Sequence, residues 1–191
     1  MLNQIRPALT MIVLFTALLG LGYPLAITGI AGAVMPAEAQ GSLLFAGGRA
    51  VGSSLVGQAF TGDRYFHGRP SATGETAYNA AASSGTNLGP TSAKLRDLVA
   101  AEVAKLQASG ASLPVPADAA TSSGSGLDPD ISLAYARLQI ARVAKARQLP
   151  QRDVAKLIDS VADAPVLGFV GEPRVNVLKL NLALDRAAPQ P

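Results

Sequence analysis

The feature that most constrains this chain is a long stretch without any charged side chain near its N-terminus. No Asp, Glu, Lys or Arg occurs between Arg6 and Glu38, a gap of 31 residues (7–37). A bilayer core requires about 20 apolar residues in helical form, so this segment is long enough to cross a membrane. We therefore predict a short N-terminus (1–6), a transmembrane helix over residues 7–35 that is kinked at Pro24, and one further domain over residues 38–191.

A cleavable signal peptide is the alternative to a retained anchor. Ala37-Glu38-Ala39 has the small-x-small pattern of a cleavage site, and Arg6 supplies a basic start. However, the apolar core of a signal peptide is about 7–15 residues long, and this run is roughly twice that length. The length favours a retained signal anchor over a cleaved signal peptide. As an alternative function, the chain is a signal-anchored extracytoplasmic binding module or one that is secreted after release at Ala39.

Charges beside the apolar segment suggest its orientation. Arg6 and the free amino group precede it, whereas Glu38 and Arg49 follow it. Cytoplasmic flanks of membrane helices are enriched in Lys and Arg. We therefore expect a cytoplasmic N-terminus and an extracytoplasmic C-terminal domain on a single-pass protein of the inner (plasma) membrane.

Small residues recur along the predicted helix with steps of four, three and four. Residues with this spacing lie on one helix face, where small side chains let a neighbouring transmembrane helix approach closely. The pattern predicts a helix-packing face formed by Gly22, Ala26, Gly29 and Ala33.

The remaining residues indicate a mixed domain. Short apolar runs among glycines predict strands or extended segments at 42–45, 50–60 and 64–66, followed by a polar loop at 77–90. A helix is predicted from a Thr91 or Ser92 cap to about Ser109, and 111–126 is predicted to be a connector.

The C-terminal third predicts a helix pair and a strand. Asp128-Pro129 is typical of a helix start, which predicts a helix from Ile131 to Gln148, with a second helix over 151–162 after Pro150. The alternation in 174–184 predicts a half-buried strand with a bulge. The fold class is therefore α+β: a single N-terminal transmembrane helix followed by one mixed α+β extracytoplasmic domain.

The composition argues against chemistry carried by this chain. Because there is no cysteine, disulfides and thiol nucleophiles are excluded. The single histidine, His67, is too few ligands for a Cys/His metal site. We predict no catalytic residues and no metal site. The six cations of the helix pair predict a solvated face or a docking surface for an acidic partner, and nucleic acid is not expected: Arg137, Arg142, Lys145, Arg147, Arg152 and Lys156.

The most unusual stretch is Ser123-Gly124-Ser125-Gly126-Leu127-Asp128. Glycines before a helix can present amide hydrogens to a phosphate. Asp128 and Asp130, however, place negative charge where a phosphate would bind, and no Walker lysine follows. From the residues alone, a tight structural loop is favoured over an anion site.

Several unusual strings occur in one order along nearly the whole chain. Together they resemble the C subunit of the Kdp-type potassium-transporting ATPase: PALTMIVLFTALLGLGYPLAITG, VGSSLVGQAF, YFHGRPSAT, TNLGP, SSGSGLDPDIS, LQIARVAKARQL and GEPRVNVLKLNLAL. The chain departs from the family pattern at Asp130, where histidine is expected, at Gly32, where glutamine is common, and at Thr86, where serine is usual.

The resemblance implies a non-catalytic subunit of an ATP-driven, high-affinity potassium uptake complex. The implied partners are a channel-like potassium-binding subunit, a P-type subunit that hydrolyses ATP, and a small single-span subunit within the lipid bilayer. The family's C subunit is described as a catalytic chaperone that raises the ATP affinity of the ATPase subunit. No cofactor is implied to be tightly bound, because ATP and potassium are handled by the complex.

The resemblance also implies roles for particular residues. The family's proposed nucleotide contacts correspond here to Ser123, Gly124, Ser125, Gly126, Leu127, Asp128 and Gln139. An extracytoplasmic domain could not touch cytoplasmic ATP, so we expect a structural cap whose effect on ATP affinity is allosteric. The resemblance further implies structural roles for the remaining motif residues: Tyr23, Pro24, Gly57, Gln58, Arg69, Pro70, Asn87, Pro129, Arg142, Glu172, Asn176 and Asn181.

Overall fold

The structure, a computed structural model, describes residues 2–165 and 167–187. Its backbone contacts divide the chain into two compact units, one ending at Leu43 and the other beginning at Leu44. Helices and two small sheets make up the fold, which confirms the α+β class with one N-terminal apolar helix.

The first unit is a continuous helical segment. It runs through a 3-10 turn at Leu2–Gln4, α1 at Ile5–Phe15, a π-helical stretch at Thr16–Gly22 and α2 at Tyr23–Val34. The 30 residues Ile5–Val34 have a mean hydropathy of 2.0 and are long and apolar enough to cross a membrane. The short helix α3, Pro36–Ala39, follows.

Helical hydrogen bonding changes just before Pro24, the position at which the sequence predicts a kink. The Tyr23 amide donates to the carbonyl of Leu18, five residues back, rather than to the residue four back. Proline has no amide hydrogen and therefore cannot donate to the carbonyl of Gly20. The π-helical stretch thus ends where the proline interrupts the α-helical pattern.

A hairpin and a long irregular segment follow α3 along the chain. Strands β1, Leu43–Ala46, and β2, Arg49–Ser53, are joined by Gly47 and Gly48, both with positive φ. The turn requires that backbone conformation, which glycine adopts without strain. Of the two alternatives predicted beyond Ser53, strand or extended segment, residues 54–60 and 64–66 do not form the strand. The carbonyl oxygens of Asp63 and Arg64 accept hydrogen bonds from side chains instead of from another strand.

The predicted helix after Ser92 is confirmed as α4, Ala93–Ala108. Its cap is Ser92, whose hydroxyl accepts from the Leu95 amide at 3.4 Å, and Gly110 follows with φ +91°. The flanking loop and connector contain one 3-10 turn, Ala80–Ala82, and one short helix, α5, Ala117–Ala120.

The predicted helix start at Asp128-Pro129 is wrong. Residues Asp130–Ser132 instead form β3, which pairs antiparallel with β4, Arg174–Asn176, so that Ile131 lies opposite Val175. This pairing joins segments more than 40 residues apart, and local spacing carries no signal for it. The helix then begins at Leu133, where the Ser132 hydroxyl accepts from the Tyr135 amide at 3.0 Å.

The predicted helix over 131–148 is also divided. Helix α6, Leu133–Leu138, and helix α7, Ile140–Arg147, are separated at Gln139, and Gln148 ends α7 with φ +57°. The predicted third helix is confirmed as α8, Gln151–Val161.

The predicted C-terminal strand over 174–184 is wrong beyond Asn176. Helix α9 covers Val177–Ala187, and its buried side chains recur at helical spacing. The side-chain oxygen of Asn176 accepts from the Lys179 amide at 3.1 Å, which caps the helix. In the sequence, the alternation of apolar and polar residues is broken by the adjacent apolar pair Val177-Leu178, where the strand gives way to the helix.

The core of the second unit lies between the paired helices, the β3–β4 sheet and the irregular segment near Phe66. Phe66 is fully buried there, and its amide and carbonyl bond the side chain of Asn181 at 2.8 and 2.9 Å. The other large, fully buried apolar residues are Val143, Val154, Ile158, Val175, Leu180 and Leu184.

We predict that Asn181→Ala destabilises the full-length chain in detergent micelles by about 3 kcal/mol, since it leaves two buried backbone groups of Phe66 without partners. The measurement is chemical unfolding followed by circular dichroism. Lys179→Ala, an exposed position on the same helix, is the control and should leave the midpoint unchanged. Equal midpoints for the two variants would contradict the role assigned to Asn181.

Candidate functional site

The glycine-rich loop is closed by hydrogen bonds within itself. The Gly126 amide donates to the hydroxyl of Ser123 at 2.9 Å, and the Leu127 amide donates to the hydroxyl of Ser125 at 3.1 Å. The Asp130 amide donates to the Asp128 carboxylate at 3.1 Å. Three of the amide hydrogens that could face a phosphate in this stretch are therefore already used.

The carbonyl oxygens of the loop are also used, by the chain that packs against it. Ser125 accepts from the Ser84 amide at 3.0 Å, and Gly126 accepts from the Ser71 hydroxyl at 2.7 Å. Leu127 accepts from the Gly57 amide at 2.8 Å. Three different segments therefore hold the loop in place.

Two positions of the loop region require glycine. Gly126 has φ +68°, and a Cβ there would lie 2.5 Å from Thr73 and 2.7 Å from the Ser84 carbonyl oxygen. A Cβ at Gly57 would lie 2.5 Å from the Asp128 carbonyl oxygen. By contrast, a Cβ at Gly124 would meet nothing within 4 Å.

The one carboxylate of the sequence motif, Asp128, is paired with Arg69. The guanidinium lies 2.9 Å from the carboxylate, and both side chains are about three-quarters buried, being 24% and 29% exposed. The negative charge that argued against a phosphate site in the sequence is thus held in place by a cation of the same domain.

Gln139, one of the nucleotide contacts implied by the resemblance, is bonded to backbone of its own domain. It is buried, its side chain bonds the His67 amide and carbonyl at 2.8 and 3.0 Å, and it accepts from Arg142 at 2.7 Å. Within the described residues, Gln139 makes no hydrogen bond to the loop at 123–128. The cavity that Gln139 lines is not lined by any residue of that loop.

Gln139 belongs to a set of side chains that bind one irregular segment, residues 63–69. Each of the seven consecutive carbonyl oxygens in this segment accepts a hydrogen bond from a side chain. In order from Asp63 to Arg69, the donors are Arg142, Arg147, Arg142, Asn181, Gln139, Tyr135 and Tyr78. We call this segment the threaded segment.

The sequence pointed to some of these donors but not to others. Gln139, Arg142 and Asn181 are motif residues of the resemblance, whereas Tyr78 and Tyr135 were not singled out. Burial raises the pKa of both phenols to about 12, so they remain protonated donors at neutral pH. The sequence signal that could have singled out Tyr78 is a large aromatic residue in a stretch of otherwise small and polar residues.

Arg147 belongs to neither of the surfaces predicted for the six cations, a solvated face or a docking surface. Its side chain is completely buried, pairs with Asp185 at 2.6 Å and stacks over the Tyr65 ring at 4.9 Å. Arg142 is likewise turned inward, and burial lowers the pKa of its guanidinium. Arg152 and Lys156 remain exposed, as predicted.

His67 is held by backbone contacts. Its Nε2 lies 3.1 Å from the Gly62 carbonyl oxygen, and burial, followed by the charge of Arg142, lowers the pKa of its imidazole. The ring is therefore neutral at pH 7. The described part of the chain contains no group of three His, Cys, Asp or Glu side chains that could hold a metal ion.

Asp130, where the resemblance leads us to expect histidine, lies in an open depression lined also by Arg69, Asp118, Asp128 and Arg174. Its carboxylate accepts from the Asn176 amide group at 3.0 Å and lies 3.2 Å from the Arg174 guanidinium. Burial raises the pKa of this carboxyl. Asn176 and Arg174 thus bind β3 to β4 through side chains as well as backbone.

The remaining motif residues of the second unit make local structural contacts. Gln58 donates to the Val51 carbonyl at 2.8 Å, and Asn87 adopts φ +53°. The Pro129 carbonyl accepts from the Val177 amide at 2.9 Å, Pro70 lines a small apolar cavity against α4, and Glu172 is exposed.

The predicted packing face lies uncovered on the apolar helix. Gly22, Ala26, Gly29 and Ala33 are all exposed, as are Tyr23 and Pro24, and a Cβ at Gly29 would meet nothing within 4 Å. The space that small residues leave beside this helix is therefore open to another chain.

We predict that Gly126→Ala destabilises the chain by about 2 kcal/mol or more, because the added methyl group meets Thr73 and Ser84 at a left-handed backbone position. Gly124→Ala is the matched control and should leave the unfolding midpoint nearly unchanged. Both variants would be unfolded chemically in detergent. If Gly124→Ala were as destabilising as Gly126→Ala, the packing account of this loop would be contradicted.

Comparison with known proteins gives consistent matches over nearly the whole chain. The family described as "KdpC: K+-transporting ATPase, c chain" matches residues 5–186. A protein of Allorhizobium ampelinum named potassium-transporting ATPase KdpC subunit is 62% identical over 187 residues, which cover 98% of each chain. A protein of the same name from Rhodopseudomonas palustris is 52% identical, and the match covers 100% of each chain. Another from Caulobacter vibrioides is 55% identical, and the match covers 99% of this chain and 96% of that protein.

Proposed function

The chain belongs to the KdpC family of potassium-transporting ATPase subunits, and we propose that it is a non-catalytic subunit that assembles and stabilises an ATP-driven potassium uptake complex. Its partners in this proposal are a channel-like potassium-binding subunit, an ATP-hydrolysing P-type subunit and a small single-span subunit. ATP and potassium are bound by those partners, and this chain holds no cofactor tightly.

The observation that carries the proposal is the uncovered apolar helix. Ile5–Val34 is long and apolar enough to span a bilayer, and no residue of its apolar window is buried among the residues that the structure describes. Lipid gains nothing from a groove of small residues, whereas a neighbouring helix can pack closely into it. The face formed by Gly22, Ala26, Gly29 and Ala33 is therefore the contact with a partner's membrane helix.

The geometry of the glycine-rich loop favours an indirect effect on ATP. Its amides at Gly126 and Leu127 already donate to the loop's own hydroxyls, and Asp128 is paired with Arg69. Gln139 is committed to the threaded segment. In this proposal the chain acts as a catalytic chaperone by coupling: contact with its partners stabilises a state of the ATPase subunit that binds ATP more tightly.

We predict that Gly29→Leu weakens assembly about tenfold while the chain still inserts into the membrane, because added apolar bulk suits lipid but blocks close helix packing. The measurement is the amount of partner subunits recovered with an affinity-tagged chain from solubilised membranes. Ala31→Leu is the control, since two helical positions place it about 200° from Gly29. Normal recovery with Gly29→Leu would disprove the packing face.

We predict that the domain is extracytoplasmic, so that protease added outside spheroplasts digests residues beyond Glu38. In sealed spheroplasts that receive no protease, the same domain should stay intact. In correctly oriented membranes, an ATP analogue should label neither the unmodified chain nor the Gln139→Ala variant. If the domain were protected from external protease, the proposed orientation would be wrong, and direct contact with cytoplasmic nucleotide would again be possible.

A further inference from the structure

The loop between α8 and β4 carries large apolar side chains that no described residue covers. Leu167, Phe169 and Val170 are 82%, 78% and 51% exposed. Single exposed apolar residues are common, but three within four positions form a patch of the kind that marks an interaction site. We call these three residues the apolar tip.

The base of this loop is fixed to the core. The Asp163 amide donates to the Arg174 carbonyl at 2.9 Å, and the Arg174 amide donates to the Asp163 carbonyl at 3.2 Å. The chain on either side contributes Ile158 and Val175, both fully buried. The apolar tip therefore projects from a closed stem, so that docking it requires little additional ordering at its base.

Charges around the apolar tip distinguish a protein partner from a lipid surface. Residues 164–173 contain no Lys or Arg, and the stem carries Asp163 and the exposed Glu172. The nearest cation, Arg174, already contacts Asp130 at 3.2 Å and Asp163 at 4.0 Å. Segments that lie on anionic membranes are flanked by Lys and Arg, so this acidic setting disfavours a lipid surface.

We propose that the apolar tip inserts into an apolar pocket, rimmed by basic residues, on another subunit of the potassium-transporting ATPase. Leu167 and Phe169 supply the buried anchors, and Asp163 and Glu172 face the basic rim of the pocket. This inference rests on the proposed function because it requires the assembled complex. It adds a second contact that is independent of the membrane helix.

The direct test replaces Phe169 with the photoreactive amino acid p-benzoylphenylalanine in the purified complex. We expect a crosslink to one of the other subunits, identified by mass spectrometry. The same replacement at Leu113, which is 64% exposed in the connector after α4, is the control and should give much less crosslinking. A crosslink to lipid, to a second copy of this chain, or at no higher yield than the control would overturn the proposal.

A second measurement uses the variant Leu167→Ser with Phe169→Ser. We expect it to leave the purified complex about tenfold faster than the unmodified chain, as loss of a buried anchor does at protein interfaces. Its unfolding midpoint should not change, because the side chains are exposed in the free chain, and Leu113→Ser should behave like the unmodified chain. If the double variant dissociates at the rate of the unmodified chain, only the contact proposed for the apolar tip is overturned. If the unmodified chain co-purifies with no other subunit, the proposed function is overturned.

Discussion

The second unit contains buried backbone that pairs with no strand, and its fold depends on side chains that supply the missing hydrogen bonds. The threaded segment crosses the core around the fully buried Phe66, where an unpaired carbonyl would cost about 1–3 kcal/mol. All seven of its carbonyl oxygens accept hydrogen bonds from side chains of α6, α7 and α9, of Gln139 between α6 and α7, and of Tyr78. Polar residues that would otherwise suggest a binding site are thereby committed to holding the fold together.

This commitment separates two interpretations of the same motif. A serine-glycine loop before polar residues resembles an anion-binding turn when it is considered alone. In the folded chain its amides donate to Ser123 and Ser125, and Gly126 is needed where Thr73 and Ser84 approach closely. Among the described residues, large apolar side chains are exposed along the N-terminal helix and at the apolar tip. This exposure is what the proposed contacts with other subunits require.

Sequence reasoning succeeded where the signal was local. Ser92 and the spacing after it predicted α4, and Pro150 with the apolar face at Val154 and Ile158 predicted α8. It failed where a distant partner decided the outcome. Ile131 was assigned to a helix because its pairing with Val175 could not be read locally, and the region after Asn176 was assigned to a strand although Asn176 caps a helix.

The sequence by itself determined that an apolar segment of membrane-spanning length precedes a mixed domain, because charge and hydropathy are properties of single residues summed along the chain. It also limited metal and thiol chemistry through its composition. Only the tertiary structure decided the tasks of Gln139, Arg147 and Asn181, since a carboxamide or guanidinium can face a ligand or a buried backbone equally well. Which of these it binds depends on the groups that folding brings within about 3 Å.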